Sequence, residues 1–243
     1  CFTINPYRTT SEFTSYEELL ASQEFQGIEI FYPYVLSPAD IQTYYQNVNY
    51  LLKYNPEMVL HLPYGPNNDL SNLHNYQAVI ERLKQAITFG ASLNVTKYTL
   101  HLGYLNNQKR DVVINHLITV LKDLCDYAGK AWIMIENMPG KGELGYSPEE
   151  IKNIILRVNK PNLKFILDTG HAHLSEYDIL DYIEVLSQYL SHIHLSDNNG
   201  IRDEHAPLGT GSISFDKVFA ALKDYQELYC LEIIYQDVNQ LKQ

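Results

Sequence analysis

Three segments of one stretch decide the fold: Ala131-Trp-Ile-Met-Ile-Glu136, Ser147-Pro148-Glu-Glu150 and Leu163-Lys-Phe-Ile-Leu-Asp168. They read as strand, helix, strand. The outer two are short apolar runs, each ending in a carboxylate. The middle one is a helix start, with a hydroxyl N-cap, proline in the first turn and a capping-box glutamate. Apolar runs linked through a helix belong to a parallel sheet covered by helices.

The same unit recurs outward in both directions. Strands are expected at Phe2–Asn5, Gly27–Tyr32, Met58–Tyr64, Lys97–Tyr104, Ala131–Met138, Leu163–Asp168, Ser191–Ser196 and Tyr229–Tyr235. Between them, Val79, Leu83, Ala86 and Ile87, and then Val113, Leu117, Val120, Leu121 and Leu124, follow the stripe of a helix lying on a sheet. Ser37-Pro38 with Asp40 makes another helix start. Eight such units in 243 residues predict an α/β fold, a single-domain (β/α)8 TIM barrel spanning residues 1–243.

Composition agrees, with 45% apolar and 19% charged residues. No apolar run is long enough to span a membrane, so no membrane partner is expected. Cys1, Cys125 and Cys230 lack Cys-x-x-Cys spacing. Cys125 and Cys230 fall on apolar faces, which fits reduced, buried thiols and a cytoplasmic location. The net charge of −11 disfavours a nucleic-acid partner. The chain opens on Cys1, which reads as an incomplete N-terminus, with a processed lipoprotein cysteine as the alternative. The short helical stretch Asp237–Gln243 reads as a trimmed C-terminus. Oligomeric state is left open.

Strands buried on both faces should be apolar throughout. Here nearly every one ends in an ionisable residue: His61, His101, Glu136, Asp168, His194 and Glu232, with His171 three residues after Asp168. Asp203 and His205 follow the seventh strand. The C-terminal strand ends of a barrel converge on one bowl, so these residues meet. Clustered carboxylates repel and lose hydration. A divalent cation resolves both costs, and an imidazole–carboxylate set without thiolate suits zinc first, then manganese or cobalt. His192 and His173 are candidates to support these ligands. His74 and His116 are expected on helix surfaces.

Gly140-Lys-Gly142-Glu-Leu-Gly145 matches G-x-G-x-x-G. In a nicotinamide site the glycines run directly into the helix. Here Tyr146, Ser147 and Pro148 intervene, and Glu136 would oppose a phosphate. The segment is expected to be a flexible loop over the bowl.

Ile135-Glu-Asn-Met-Pro-Gly140, Leu167-Asp-Thr-Gly-His171, His194-Leu-Ser-Asp197 and Asp203-Glu-His-Ala-Pro-Leu-Gly-Thr-Gly211 occur in this order. At these strand ends the chain resembles the xylose isomerase-like TIM-barrel superfamily, which includes sugar isomerases and epimerases and the endonuclease IV type of nuclease. The resemblance implies one metal held by Glu136, Asp168, His194 and Glu232. Glu136 and Glu232 would move a proton, and His171 would contact substrate oxygen. The endonuclease IV pattern implies three zinc ions on nine ligands. His61, His101 and Glu136 would hold the first, Glu136 with Asp168, His194 and Glu232 the second, and His171, Asp203 and His205 the third. Tyr64, Asn137 and Arg202 are candidates to contact substrate.

The functional expectation is a divalent-metal sugar, sugar phosphate or polyol isomerase or epimerase, binding one to three ions and a small carbohydrate. The alternative is a zinc phosphodiesterase of the abasic-site endonuclease type. The loops carry few basic residues (Lys109, Arg110, Lys141 and Arg202), so a DNA grip is the less favoured reading. A dehydratase or lyase acting on a keto-polyol is the third.

Overall fold

Each apolar run forms a strand, and the strands pair in the order in which they occur. The computed structural model describes residues 1–5, 10–34, 36–235 and 238–242. The strands are β1 Phe2–Ile4, β2 Gly27–Phe31, β3 Glu57–His61, β4 Lys97–Leu100, β5 Trp132–Glu136, β6 Leu163–Asp168, β7 Leu190–Leu195 and β8 Tyr229–Leu231. All neighbours are parallel, and β8 returns to β1 through Leu231 and Phe2, closing a barrel.

The covering helices are α1 Thr10–Ala21, α2 Pro38–Leu51, α3 Tyr76–Ser92, α4 Arg110–Ala128, α5 Pro148–Val158, α6 Thr169–Leu174, α7 Ile179–Leu186 and α8 Phe215–Ala221. The expected stripes of α3 and α4 are buried against the sheet. Each fully buried Leu or Val there stabilises the fold by roughly 1.5–3 kcal/mol relative to exposure. A side chain at Gly90 would put Cβ 2.7 Å from the Tyr98 ring, so close packing of α3 on β4 requires glycine. Among the described residues no helix is long and apolar enough to cross a membrane.

Several strands stop sooner than the apolar pattern suggested. β3 ends at His61 and not Tyr64, because Pro63 has no N–H to donate to a ladder. β4 ends at Leu100, before Gly103 turns the chain at φ +102°. β5 ends at Glu136 and β8 at Leu231. A 3-10 turn spans Val238–Lys242, while Asp237 and Gln243 lie outside the described residues. His74 sits in an exposed turn before α3 and not in a helix. His116 is on α4 but half-buried, its ring edge-on to Tyr76 at 4.3 Å.

Side chains alternate along a strand, so the residue two before each mouth residue points into the barrel one layer down. That layer comprises Val59, Thr99, Met134, Ile166, His192 and Cys230, below His61, His101, Glu136, Asp168, His194 and Glu232. On β1 and β2 it adds Cys1 and Glu29. Cys1, Val59, Met134, Ile166 and Cys230 pack with Leu228 as an apolar plug. Glu29 and His192 are fully buried beside it.

Candidate metal centre

The strand ends bring nine ionisable side chains together as three groups, two of which share Glu136. His61, His101 and Glu136 form one. Glu136, Asp168, His194 and Glu232 form the second. His171, Asp203 and His205 form the third. Glu136 joins the first two: its Oε2 lies 2.9 Å from His101 Nε2 and 3.7 Å from His61 Nε2. Its Oε1 lies 3.2 Å from His194 Nδ1, which is also 2.7 Å from Glu232 Oε2. In the third group Asp203 Oδ2 lies 3.3 Å from His171 Nε2 and 3.0 Å from His205 Nε2.

Four of the rings are oriented from behind. His61 Nδ1 donates to Leu62 O at 2.9 Å, His171 Nδ1 to Asn137 O at 2.9 Å and His205 Nδ1 to Glu232 O at 2.8 Å. With Nδ1 committed to a carbonyl, Nε2 is the nitrogen that faces the carboxylates, and it becomes a lone pair when a cation replaces its proton. His194 is reversed. Its Nε2 donates to the Glu29 carboxylate at 2.8 Å, so Nδ1 faces the group. The same carboxylate accepts from His192 Nε2 at 2.9 Å and from Thr99 Oγ1 at 2.8 Å.

The backbone fixes the rest. Asp168 caps α6, its Oδ1 accepting from His171 N at 2.7 Å, so ligands from two groups share one turn. Buried Asp197 accepts from Gly209 N at 3.0 Å and Gly211 N at 2.9 Å, folding back the loop that carries Asp203 and His205. His205 adopts a left-handed backbone at φ +43°, an uncommon conformation for a residue with a side chain.

Electrostatics separate the carboxylates. Burial alone would raise Glu136, but the His101 and His194 imidazoles outweigh it and hold its carboxyl well below the usual range. Burial pushes Asp168 up to about 6, against the opposing pull of His171. Burial also opposes ionisation of Asp203, and hydrogen bonds from His171 and His205 overcome it and lower its pKa. Asp168 Oδ2 is buried without a hydrogen-bond partner, and Glu136 Oε2 has the His101 ring nitrogen at 2.9 Å. Crowded anionic oxygens beside imidazole nitrogens whose protons a cation can replace are what a divalent ion satisfies, so the residues fit one.

The predicted substrate contacts separate. Tyr64 stands at the mouth, its ring 4.9 Å from those of both His61 and His101. It also lines a cavity of about 440 Å³ beside Glu232 and His205. Asn137, by contrast, is buried, and its amide is committed to the backbone of Asp168 at 2.7 and 3.0 Å. It therefore positions Asp168 with its amide and His171 with its carbonyl. Arg202 is turned to solvent and paired with Glu204 at 3.0 Å. His173 lies away from the groups, bonded to Ser212 Oγ at 2.8 Å.

The loop expected to be flexible is fastened instead. Tyr104 and Glu143 form an antiparallel bridge, and Leu105 N donates to Gly142 O at 2.8 Å. Arg110 binds Glu150 at 2.5 Å and also the carbonyls of Lys141 and Glu143. Glu150 does not close a reciprocal capping box, because its other oxygen accepts from Gly145 N at 2.7 Å.

Sequence reasoning missed Glu29 and gave Asp197 no role of its own. Glu29 was legible by the argument used for Glu232, as a carboxylate inside the apolar run Gly27-Ile-Glu-Ile-Phe31. Asp197 is distinguishable only once its loop is folded.

A closed eight-stranded α/β barrel with imidazole–carboxylate groups at its C-terminal mouth defines a class of TIM-barrel enzymes with candidate metal centres. Within that class the chain belongs to the family described as xylose isomerase-like TIM barrel, which matches residues 18–243. It is similar to an uncharacterized protein of Methanocaldococcus jannaschii, 30% identical over 227 residues, or 87% of this chain and 75% of that one. It is also similar to "Probable endonuclease 4" of Ureaplasma parvum, 29% identical over 187 residues, 69% of this chain. The match spans 62% of that relative's length. A solved D-tagatose 3-epimerase-like protein superposes with a TM-score of 0.75 at 26% identity, covering 99% of this chain and 94% of that one.

Proposed function

We propose that this chain is a multinuclear divalent-metal phosphoesterase acting on a small phosphoester. The observation that carries the reading is the third ligand group, in which Asp203 lies between His171 and His205 at 3.3 and 3.0 Å. Proton transfer within a sugar needs only the group of Glu136, Asp168, His194 and Glu232. Two further groups are costly to assemble unless they are used.

His61, His101 and Glu136 would hold one cation, Glu136, Asp168, His194 and Glu232 a second, and His171, Asp203 and His205 a third. Cations there would supply Lewis acidity to phosphoryl oxygens. Three divalent ions outweigh the four carboxylates by two charges if the imidazoles are neutral, so the mouth itself attracts an anion without a basic side chain. Glu232 lies at the cavity wall, where its carboxylate can take or give a proton at a substrate oxygen. Tyr64 and Phe31 line the same cavity and set the width of the entering group.

The small-substrate assignment rests on the loops. Arg110 is consumed by Glu150, Lys141 by Glu176 at 2.5 Å and Arg202 by Glu204. With a net charge of −11, little remains to track a duplex backbone. The relationship to an endonuclease 4 supports the hydrolytic chemistry.

Isomerisation or epimerisation of a small carbohydrate is the second reading. Glu136 and Glu232 both flank His194 Nδ1, at 3.2 and 2.7 Å, as two proton-moving carboxylates require, and a solved relative is epimerase-like. One experiment separates the two. The metal-loaded protein is given small phosphomonoesters and phosphodiesters, an abasic-site duplex, and ketoses in deuterated water. Phosphate-ester cleavage without deuterium incorporation supports the first reading. Deuterium entering the sugar carbon with no ester cleaved overturns it in favour of the second.

A further inference from the structure

Beneath the mouth lies a second cluster of different chemistry. Cys1, Glu29, His192 and Cys230 are all buried, and each offers a ligand atom within 4.8 Å of the others. Glu29, His192 and Cys230 come from β2, β7 and β8, and Cys1 immediately precedes β1, so the four lie on consecutive staves of the barrel. The two cysteines sit on neighbouring strands, where Leu231 N donates to Cys1 O at 2.9 Å.

The hydrogen bonds make His192 available there. Its Nε2 donates to Glu29 at 2.9 Å, so its other nitrogen carries the lone pair. That Nδ1 is buried and faces the Cys230 thiol, which can hydrogen-bond it. Glu29 thus orients two imidazoles from one carboxylate. His194 presents its Nδ1 to the mouth, and His192 presents its Nδ1 to the interior.

We propose that Cys1, Cys230 and His192 form a separate sulfur-rich site for a thiophilic divalent cation such as zinc inside the barrel. Two thiolates and one imidazole are a familiar zinc donor set, and Glu29 stays behind His192 as the acceptor of its Nε2–H. Charge favours a divalent ion, because two thiolates neutralise it. The assembly is then uncharged among Val59, Met134, Ile166 and Leu228, where a net charge would be costly. The mouth, built of oxygen and nitrogen donors, has no sulfur, so the two places differ in metal preference. This site would hold the β8–β1 seam together and does not depend on which reaction the mouth performs.

Cobalt(II) is the probe. The full chain is unfolded, stripped of metal and refolded with cobalt(II), since the interior is closed to solvent. The expected result is near-ultraviolet thiolate-to-cobalt absorption. In Cys230→Ser that band is lost, cobalt content falls by one equivalent per chain, and the visible absorption of cobalt at the mouth remains. Cys125→Ala, on α4, keeps the band. If Cys230→Ser does not fold, the wild-type spectrum decides alone. A chain loaded with cobalt at the mouth but lacking the sulfur band overturns the proposal. So does an intact mass two hydrogens short, which would show Cys1 and Cys230 joined to each other.

Discussion

His194 Nε2 and the Glu29 carboxylate meet at 2.8 Å inside the barrel, on the side of the imidazole opposite its contacts with Glu136 and Glu232. The carboxylate is wholly buried and holds that ring in one tautomer. Glu29→Gln keeps the shape but removes the charge that faces both imidazole N–H groups, which share Oε2, and leaves the amide N–H₂ against either those two donors or the Thr99 hydroxyl. We expect metal affinity at the mouth to fall about 10–100-fold. Chelator competition measures it, with a thermal melt to confirm folding. Unchanged affinity in a folded variant would remove Glu29 from the account.

Asp203→Asn combined with His205→Ala dismantles the third group only. Bound metal should drop by one equivalent per chain while the other two groups keep theirs. Ester hydrolysis should fall at least about 100-fold, the scale of a lost charge-stabilising contact. Elemental analysis and a hydrolysis assay on the same sample check this. Full activity with the metal count reduced would sink the phosphoesterase reading.

In the bare chain burial lowers the pKa of His205, but its hydrogen bond to Asp203 prevails and lifts it to about 10. The imidazole therefore carries a proton at any pH well below that value. A cation needs the same nitrogen, so its binding expels a proton. Apparent affinity should rise with pH toward about 10 and weaken as pH falls. Calorimetry in two buffers of different ionisation enthalpy reads the released protons. Identical heats in both buffers would contradict the assignment.

Arg110→Ala releases three anchors of the loop over the barrel mouth and leaves the Glu150 carboxylate, 8% exposed, without its cation. We expect a loss of about 1.5–3 kcal/mol in stability. Amide exchange should accelerate across residues 139–146 and not in α4. Denaturant unfolding and hydrogen exchange test both parts. Unaltered exchange in the loop would show that the Tyr104–Glu143 bridge suffices.

The barrel was legible because period and length agree: apolar runs of strand length alternate with stripes such as Val79, Leu83 and Ala86. Six of the mouth residues stood out because each ends or interrupts an apolar run, and His171, Asp203 and His205 stood out through the motifs Leu167-Asp-Thr-Gly-His171 and Asp203-Glu-His205. What escaped depends on where loops go after the strands end. Asn137 and Arg202 occupy positions adjacent to ligands in sequence, yet the amide of one is spent on the Asp168 backbone and the other turns outward. The glycine-rich segment looked loose because its partners, Tyr104, Leu105 and Arg110, lie more than thirty residues away. Local composition registers mobility of the isolated segment and not the hydrogen bonds it later acquires.

The bridge between Tyr104 and Glu143 divides the rim into two unequal halves. The loops after β4 and β5 are laced to each other and to α4 and α5, so a substitution there is felt by the whole lacing. On the opposite side Phe31, Ile234 and Tyr235 line the cavity from β2 and the segment after β8, outside that lacing. New substrate preferences are therefore most accessible, by evolution or by directed variation, through the second half. Variation at Ile234 would change what enters while leaving the groups that act on it in place, whereas Phe31 and Tyr64 pack on His61 and would move it as well.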